Sequence, residues 1–463
     1  MRVILLNPPG DNLYIRSYYC GATSKSNYLF QPLDLLVLSG RLYGVYEINI
    51  IDAIAERLSR SETLKRIIEY KAEVVICVVS IVSWKTDLDF LYLLKNKIPS
   101  LIVIANGDVF FDYPKAKLEE HKCIDAIIFD FISPDVIHYL KNEKDKISNM
   151  MYRENGDIVS KRPAAREIGE VFSIPIPRHE LFLNKNYRFP FVKKYPFTTV
   201  LTNFGCPFRC SFCIANIFGF KYRKVSEVME ELRYISALGI NEIFFNDMSF
   251  GMPRGNVIEL CNIMIKDGLN FRWTCFSRVD LMDNEILDLM KKSGCHTIIF
   301  GVESANESIL QVYKKDYTKE QVVNTFKICR KVGIKTVATF ILGLPEDTRE
   351  TCLDTIKFSK AINCDYASFN IAVPRPGTLL REIAIRDGLI QKDNLVFDHS
   401  GCSVSTISKR LSKEELSRLR KRAILEFYLR PSYIFKKLMG MKSFTELREH
   451  VRGCIGLLAG NAG

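Results

Sequence analysis

Cys206, Cys210 and Cys213 stand in the run Asn203-Phe204-Gly205-Cys206-Pro207-Phe208-Arg209-Cys210-Ser211-Phe212-Cys213, spaced Cys-x3-Cys-x2-Cys at the end of an apolar strand. The spacing is too tight for a disulfide framework. It suits an iron–sulfur cluster one protein ligand short, because three thiolates on a four-iron cubane leave one iron open to a substrate or cofactor. A closed zinc site needs a fourth Cys or His at short range; the next cysteine downstream is Cys261 and the nearest upstream histidine is His179. Free cysteines are also common in cores, and Cys77, Cys275 and Cys329 sit in apolar runs that fit that account. The cysteines at 206, 210 and 213 occupy a Gly/Pro-bearing loop where packing does not ask for them.

Two alternating series of β-branched runs and amphipathic stretches surround this loop. In the first, Val3 to Leu6, Ile48 to Ile51, Val74 to Ser80, Leu101 to Ala105 and Ala126 to Phe129 are separated by helix-length segments. Five such units predict an α/β fold with a doubly wound parallel sheet over residues 1–141, whose ligands bind beyond the carboxyl ends of the strands. Residues 142–190 turn polar and Pro-rich and read as a linker. In the second series, strands at Thr198 to Thr202, Glu242 to Asn246, Phe271 to Phe276, Thr297 to Phe300, Lys335 to Ile341 and Tyr366 to Ile371 predict a partial (β/α)6 TIM-type barrel over 191–388. Residues 389–463 read as a C-terminal helical region.

At 463 residues, 47% hydrophobic and 25% charged, the chain is globular and large enough for two or three domains. Met1 to Leu6 runs into a turn at Asn7-Pro8-Pro9-Gly10, too short for a signal peptide, and no stretch reaches the length of a membrane span. A reducing cytoplasm with mostly free thiols is the expected home of its 14 cysteines. The net charge of +12 suits an anionic partner, and much of it lies between Lys409 and Arg452, interleaved with Leu411, Leu416, Leu419, Ile424 and Phe427. A solvated helix face is the commoner source of such a pattern; peripheral contact of these basic helices with anionic lipid is the sharper reading.

Polar groups recur where strands of the second series end: Asn246-Asp247, Ser277-Arg278, Gly301-Val302-Glu303-Ser304 and Gly343-Leu344-Pro345-Glu346. Each alone can be a helix cap, but their order after the cysteine loop forms a pattern. The segment Gly205 to Cys213 with these strand ends resembles the radical S-adenosylmethionine (SAM) enzymes. The resemblance implies that a [4Fe-4S] cluster on Cys206, Cys210 and Cys213 binds the methionyl amine and carboxylate of SAM and cleaves it to methionine and a 5′-deoxyadenosyl radical. It places Phe212 near the adenine and Asp247, Arg278, Glu303 and Gly343 around SAM. An arginine such as Arg278 can equally pair a carboxylate structurally.

The first series, with Asp52-Ala53-Ile54-Ala55-Glu56, is similar to the cobalamin-binding module of the cobalamin-dependent radical SAM subgroup. The resemblance extends through Val373-Pro374-Arg375-Pro376-Gly377-Thr378 and Phe427-Tyr428-Leu429-Arg430-Pro431, nearly the whole chain. It implies a cobalamin against Asp52, Ile54, Ser80, Asn106 and Gly107. Ile54 stands where broader cobalamin domains carry a cobalt-ligating histidine, so the corrinoid would be base-off. Two loops depart from the subgroup's glycine-rich pattern, at Asn106-Gly107-Asp108 and Phe129-Asp130-Phe131-Ile132-Ser133.

The expected activity is radical chemistry on an unactivated carbon, completed by cobalamin-dependent methyl transfer. Alternatives are a radical SAM cyclase or rearrangement enzyme, and an RNA methylthiotransferase with a second cluster on cysteines such as Cys20, Cys77 and Cys123. A third is a non-catalytic cluster-bearing binding protein. Expected partners are a small-molecule or lipid substrate and an electron donor such as flavodoxin or ferredoxin, with no nucleic acid. The long loop carrying Tyr14, Arg16, Tyr18, Tyr19, Cys20 and Lys25 either reaches over the barrel mouth or wraps the surface.

Overall fold

In a computed structural model, the described residues are 1–440 except 20, 25–27, 162–167, 184, 393, 395–397 and 399–406. Chain order gives β1 (Arg2–Asn7), a short hairpin of β2 (Tyr14–Ile15) and β3 (Ala22–Thr23), β4 (Glu47–Asp52), β5 (Val74–Val78), β6 (Ile102–Asn106) and β7 (Ala126–Ile128). Strands β1 and β4 to β7 form the expected parallel sheet, in the order β4-β1-β5-β6-β7. Its Val/Ile-rich strands are buried on both faces, as parallel strands covered by helices must be.

Part of the segment expected to be a linker is regular structure. Residues 150–161 form a hairpin, β8 (Met150–Glu154) and β9 (Asp157–Lys161), that adds antiparallel to β7. Asn155-Gly156 supplies the turn, both residues having positive φ (51° and 91°), and Met150, Met151 and Tyr152 bury against the first core. β10 (Ile168–Val171) belongs to another sheet and pairs with residues 220–222, which follow the cysteine loop. Arg162 and Pro163 of the expected linker, Cys20, Lys25 and the cations after residue 440 lie outside the described residues.

The second series builds β11 (Thr198–Val200), β12 (Asn203–Gly205), β13 (Phe220–Tyr222), β14 (Glu242–Phe245), β15 (Arg272–Ser277), β16 (Cys295–Glu303), β17 (Lys335–Leu342) and β18 (Tyr366–Ile371). Six of these form a parallel sheet in sequence order, β11-β14-β15-β16-β17-β18, the architecture of the predicted partial barrel. The flank between β11 and β18 is packed by Phe189, stacked on Phe244 of β14 at 4.6 Å, and by Phe191 against Tyr366 of β18. The remaining strands form a separate sheet, β10-β13-β12, in which β12 and β13 are antiparallel.

The helix Lys413–Tyr428 packs Leu416, Leu419 and Phe427 into the barrel core. The helix Pro431–Gly440 buries Tyr433 but leaves Phe435 and Met439 at 67% and 73% exposure. No helix of the described residues is long and apolar enough to cross a membrane.

Candidate functional site

The three cysteines lie in the loop that joins β12 to β13. Gly205 turns the chain with φ 75°, and a Cβ there would collide with the carbonyl of Gly219 across the loop. The Cys206 amide closes the loop on that same carbonyl at 2.8 Å. Ser211 ties the loop's tip to later chain: its amide donates to the Tyr313 carbonyl at 3.2 Å and its carbonyl accepts from the Leu380 amide at 3.1 Å. Cys206 and Cys210 are buried, Cys213 is half-buried, and none is in a disulfide. Burial pushes the Cys213 thiol up to about 12; a coordinating metal ion deprotonates such a thiol outright. Among the described residues no three His, Cys, Asp or Glu side chains converge tightly enough for a single metal ion. A cubane asks for a different arrangement, one thiolate at each of three separate irons, and the donor set of this loop fits it.

The strand ends converge on the loop unequally. Arg278, after β15, places Nη1 3.5 Å from Cys210 Sγ and its guanidinium 3.6 Å over the Phe208 ring, while Nε and Nη2 pair with Asp280 at 3.0 and 2.9 Å. Arg278 therefore makes the carboxylate pairing expected of a structural arginine and also touches a cysteine sulfur. Glu303 closes β16 where the register slips, takes a left-handed backbone (φ 62°), and pairs with Lys315 at 2.9 Å. Phe212 lies near Tyr313, ring centres 6.1 Å apart.

Two of the expected SAM residues have other partners here. Asp247 is fully buried beneath the cysteine strand and accepts from the amides of Thr202 (2.7 Å) and Asn203 (3.1 Å) and from the Thr202 hydroxyl at 2.5 Å. Burial pushes its carboxyl up to about 6 against these hydrogen bonds. Gly343 has φ 84° and donates its amide to Asp347 at 2.9 Å; what approaches it closely is Leu416 of the C-terminal helix.

The carboxyl edge of the first sheet faces the cysteine loop and is covered by the chain itself. Residues 14–19 and 21–23 are held on it by Arg16, whose side chain and that of Asp87 are wholly buried and paired at 2.6 Å, with further bonds to Asn7 and the Pro8 carbonyl, both 2.8 Å. The Gly21 amide donates to Asp108 at 2.9 Å, and the Ser80 side chain occupies the space a Cβ on Gly21 would need. Tyr18 packs between Phe131 (5.1 Å), Phe111 (5.2 Å) and Phe218 (4.9 Å), and the Gly205 amide meets the Tyr19 hydroxyl at 3.5 Å. Tyr18, Tyr19 and Gly21 of the long loop thus lie between the sheet and the cysteine loop rather than on the surface.

Asp52, Ile54, Ser80, Asn106 and Gly107 are all buried, Ser80 against Gly21 of this segment. Asp52 accepts from Asn7 and Tyr187, both at 2.8 Å. Gly107 has φ 152°, and a Cβ there would strike the Val79 carbonyl. Asn106 donates to Asp34 at 3.0 Å and keeps its own Oδ1 buried without a partner. In chemistry the set suits a base-off corrinoid, with hydrocarbon at Ile54 and a waiting acceptor at Asn106. In space, residues 14–19 and 21–23 hold the room. Cys77 and Cys123 are packed into the first core. Sequence reasoning missed Lys315, which sits in a polar stretch without periodicity, and met Asp108 only as part of the Asn106-Gly107-Asp108 departure.

The Radical SAM superfamily family model matches residues 200–359. The chain is 31% identical to an uncharacterized methyltransferase of Pyrococcus horikoshii over 98% of both chains. Its fold matches the radical S-adenosylmethionine methyltransferase TsrM from Kitasatospora setae, solved with cobalamin and a [4Fe-4S] cluster, with TM-score 0.66 and 17% identity over 84% of this chain and 75% of that one. It also matches the cobalamin-dependent S-adenosylmethionine radical enzyme OxsB, solved with aqua-cobalamin and SAM, with TM-score 0.68 and 16% identity over 99% and 72%.

Proposed function

The chain belongs to the radical SAM enzymes that carry an N-terminal cobalamin-binding-type domain, and on that premise we propose that it methylates an unactivated carbon of a small-molecule or lipid substrate. The family's cofactors are a [4Fe-4S] cluster and SAM; cobalamin is the third this reading requires. When bound, the cluster supplies the single electron that breaks the sulfonium bond of SAM, drawn from a donor of the flavodoxin or ferredoxin class. When bound, cobalamin supplies the methyl carrier.

The observation that carries the reading is the convergence of Arg278 and of the Glu303–Lys315 pair on the loop of Cys206, Cys210 and Cys213. Those cysteines would hold the cluster. Glu303 would receive the ammonium or ribose of SAM, Phe212 would border the adenine, and Arg278 would hold the Cys210 sulfur in place. The buried seam of Tyr18, Phe131 and Phe218 would keep water from the radical. Ile54, Ser80, Asn106 and Gly107 would hold the corrinoid once residues 14–19 and 21–23 withdraw. The exposed Phe435 and Met439 beside Lys436 support peripheral contact with a membrane surface.

The covered edge of the first sheet favours one further reading, in which the substrate radical cyclises or rearranges with no corrinoid. One experiment tests both. Anaerobically reconstituted protein is supplied with SAM and a one-electron reductant, with and without cobalamin, and 5′-deoxyadenosine and S-adenosylhomocysteine are measured. Deoxyadenosine that disappears in a Cys206→Ser, Cys210→Ser, Cys213→Ser variant supports the radical SAM assignment. S-adenosylhomocysteine that appears only with cobalamin selects methyl transfer, and its absence selects the second reading. No deoxyadenosine under any condition sinks both.

A further inference from the structure

Lys315 reaches the site by a contorted route. Lys314 and Asp316 on either side of it adopt left-handed backbone, φ 55° and 48°, a conformation that costs non-glycine residues about 1–3 kcal/mol and persists where surrounding structure enforces it. Here the enforcement is visible. The Lys315 amide donates to the Leu310 carbonyl at 2.9 Å, and its carbonyl accepts Arg278 Nη2 at 3.0 Å. The side chain so delivered is buried, with Nζ 2.9 Å from Glu303 Oε1. The ion pair lies across Gly301, where any Cβ would collide with both charged groups.

An ammonium has three N–H donors, and Glu303 is the acceptor that the described residues offer it. Arg278, by contrast, has its nitrogens committed to Asp280, the Cys210 sulfur and the Lys315 carbonyl. Burial disfavours the charged lysine, yet the Glu303 carboxylate outweighs it and holds Lys315 protonated. Its Nζ lies 5.7 Å from the centre of the Phe212 ring, next to Cys213, and its charge acts on Cys210 and Cys213.

We propose that Lys315 is a positioning residue that sets the reduction potential of the cluster, its ammonium compensating the negative charge gathered on Cys206, Cys210 and Cys213. The inference rests on the reading that these cysteines hold a [4Fe-4S] cluster. Reduction adds one electron from an external donor, and a fixed cation beside the sulfurs lowers the energy of that added charge. Glu303 keeps the cation in place when no other anion is near.

The test compares wild type, Lys315→Met, Lys315→Arg and the double variant Glu303→Gln, Lys315→Gln. Each is reconstituted without oxygen, assayed for iron and sulfide, and titrated redox-potentiometrically with the reduced cluster followed by electron paramagnetic resonance. Lys315→Met is expected to lower the ratio of reduced to oxidised cluster at fixed poise about tenfold, which is ~59 mV for a one-electron couple. Lys315→Arg restores most of the ratio. The double variant, which removes the cation without stranding a buried carboxylate, shifts in the same direction. Thermal unfolding of each cluster-free variant separates a folding defect from a shift in potential. A Lys315→Met cluster that titrates with wild type, or a shift absent from the double variant, overturns the inference alone. A wild-type protein that takes up no iron and sulfide overturns the cluster reading and the inference with it.

Discussion

The Arg278 guanidinium is clamped between a sulfur and a ring, with Nη1 3.5 Å from Cys210 Sγ and the planar group 3.6 Å over the centre of Phe208. A lysine can supply the charge but neither the plane nor the fork toward Asp280. Losing a hydrogen bond to a charged group costs about 1.5–3 kcal/mol. Arg278→Lys and Arg278→Met are therefore expected to slow deoxyadenosine formation by roughly one to two orders of magnitude. Iron retained per chain, measured beside the rate, should fall more in the methionine variant. Wild-type rates in both variants would remove Arg278 from the site.

Asp247 bears on the cysteine strand from below. Asp247→Ala takes the acceptor from two buried amides and a hydroxyl, an expected loss of about 1–3 kcal/mol in stability, with lower iron content because Cys206 follows three residues after Asn203. Asp247→Asn keeps an acceptor for the amides and should retain most of the cluster. Denaturant unfolding and iron analysis of the two variants check this.

Asp34, the acceptor for Asn106, has its carboxyl pushed up to about 7 by burial, with Asp108 nearby adding to the rise. The folded chain binds that proton more tightly than the unfolded chain. Its contribution to stability is thus full below about pH 4 and is lost as pH rises toward 7. Asp34→Asn should flatten this part of the pH profile and leave the variant more stable than wild type at pH 8, by on the order of 1–3 kcal/mol. Urea unfolding at a series of pH values reads the difference, and parallel profiles would contradict it.

Residues 14–19 and 21–23 lie at the edge where the proposed corrinoid site is, so corrinoid binding is expected to displace them. Hydrogen exchange of peptides covering this segment is expected to speed up when hydroxocobalamin is added to the reconstituted protein. Arg16→Met, which leaves Asp87 as an unpaired buried charge at an expected cost of about 3–5 kcal/mol, should raise the exchange before any corrinoid is added. Stoichiometric corrinoid binding with unchanged exchange would mean that the cofactor sits elsewhere.

Both parallel sheets were legible because every strand in them is a short apolar run followed by a helix-length segment, as at Val74 and at Lys335. The cysteine loop was legible because Cys206, Cys210 and Cys213 are an unusual cluster in a loop. The β8–β9 hairpin was missed because its turn, Asn155-Gly156, sits among polar residues that resemble a linker. For Asp247 and Gly343 the resemblance implies contact with SAM; the contacts they make within the chain, to the Thr202 amide and Leu416, depend on packing that no local pattern encodes. Lys315 was invisible for the same reason, since the ion pair that gives it meaning is made with Glu303, twelve residues back across a bulge.

The cysteine loop is pinned by residues drawn from most of the chain's length: Tyr19 before it, and Arg278, Tyr313 and Leu380 after it. A polypeptide leaving the ribosome therefore carries all three cysteines well before Arg278, Tyr313 and Leu380 have been made. The scaffold of the loop is complete only once the chain has been made through Leu380, so metal delivered after that point meets a formed loop. Iron offered too early would meet three tethered thiols on an unfinished scaffold.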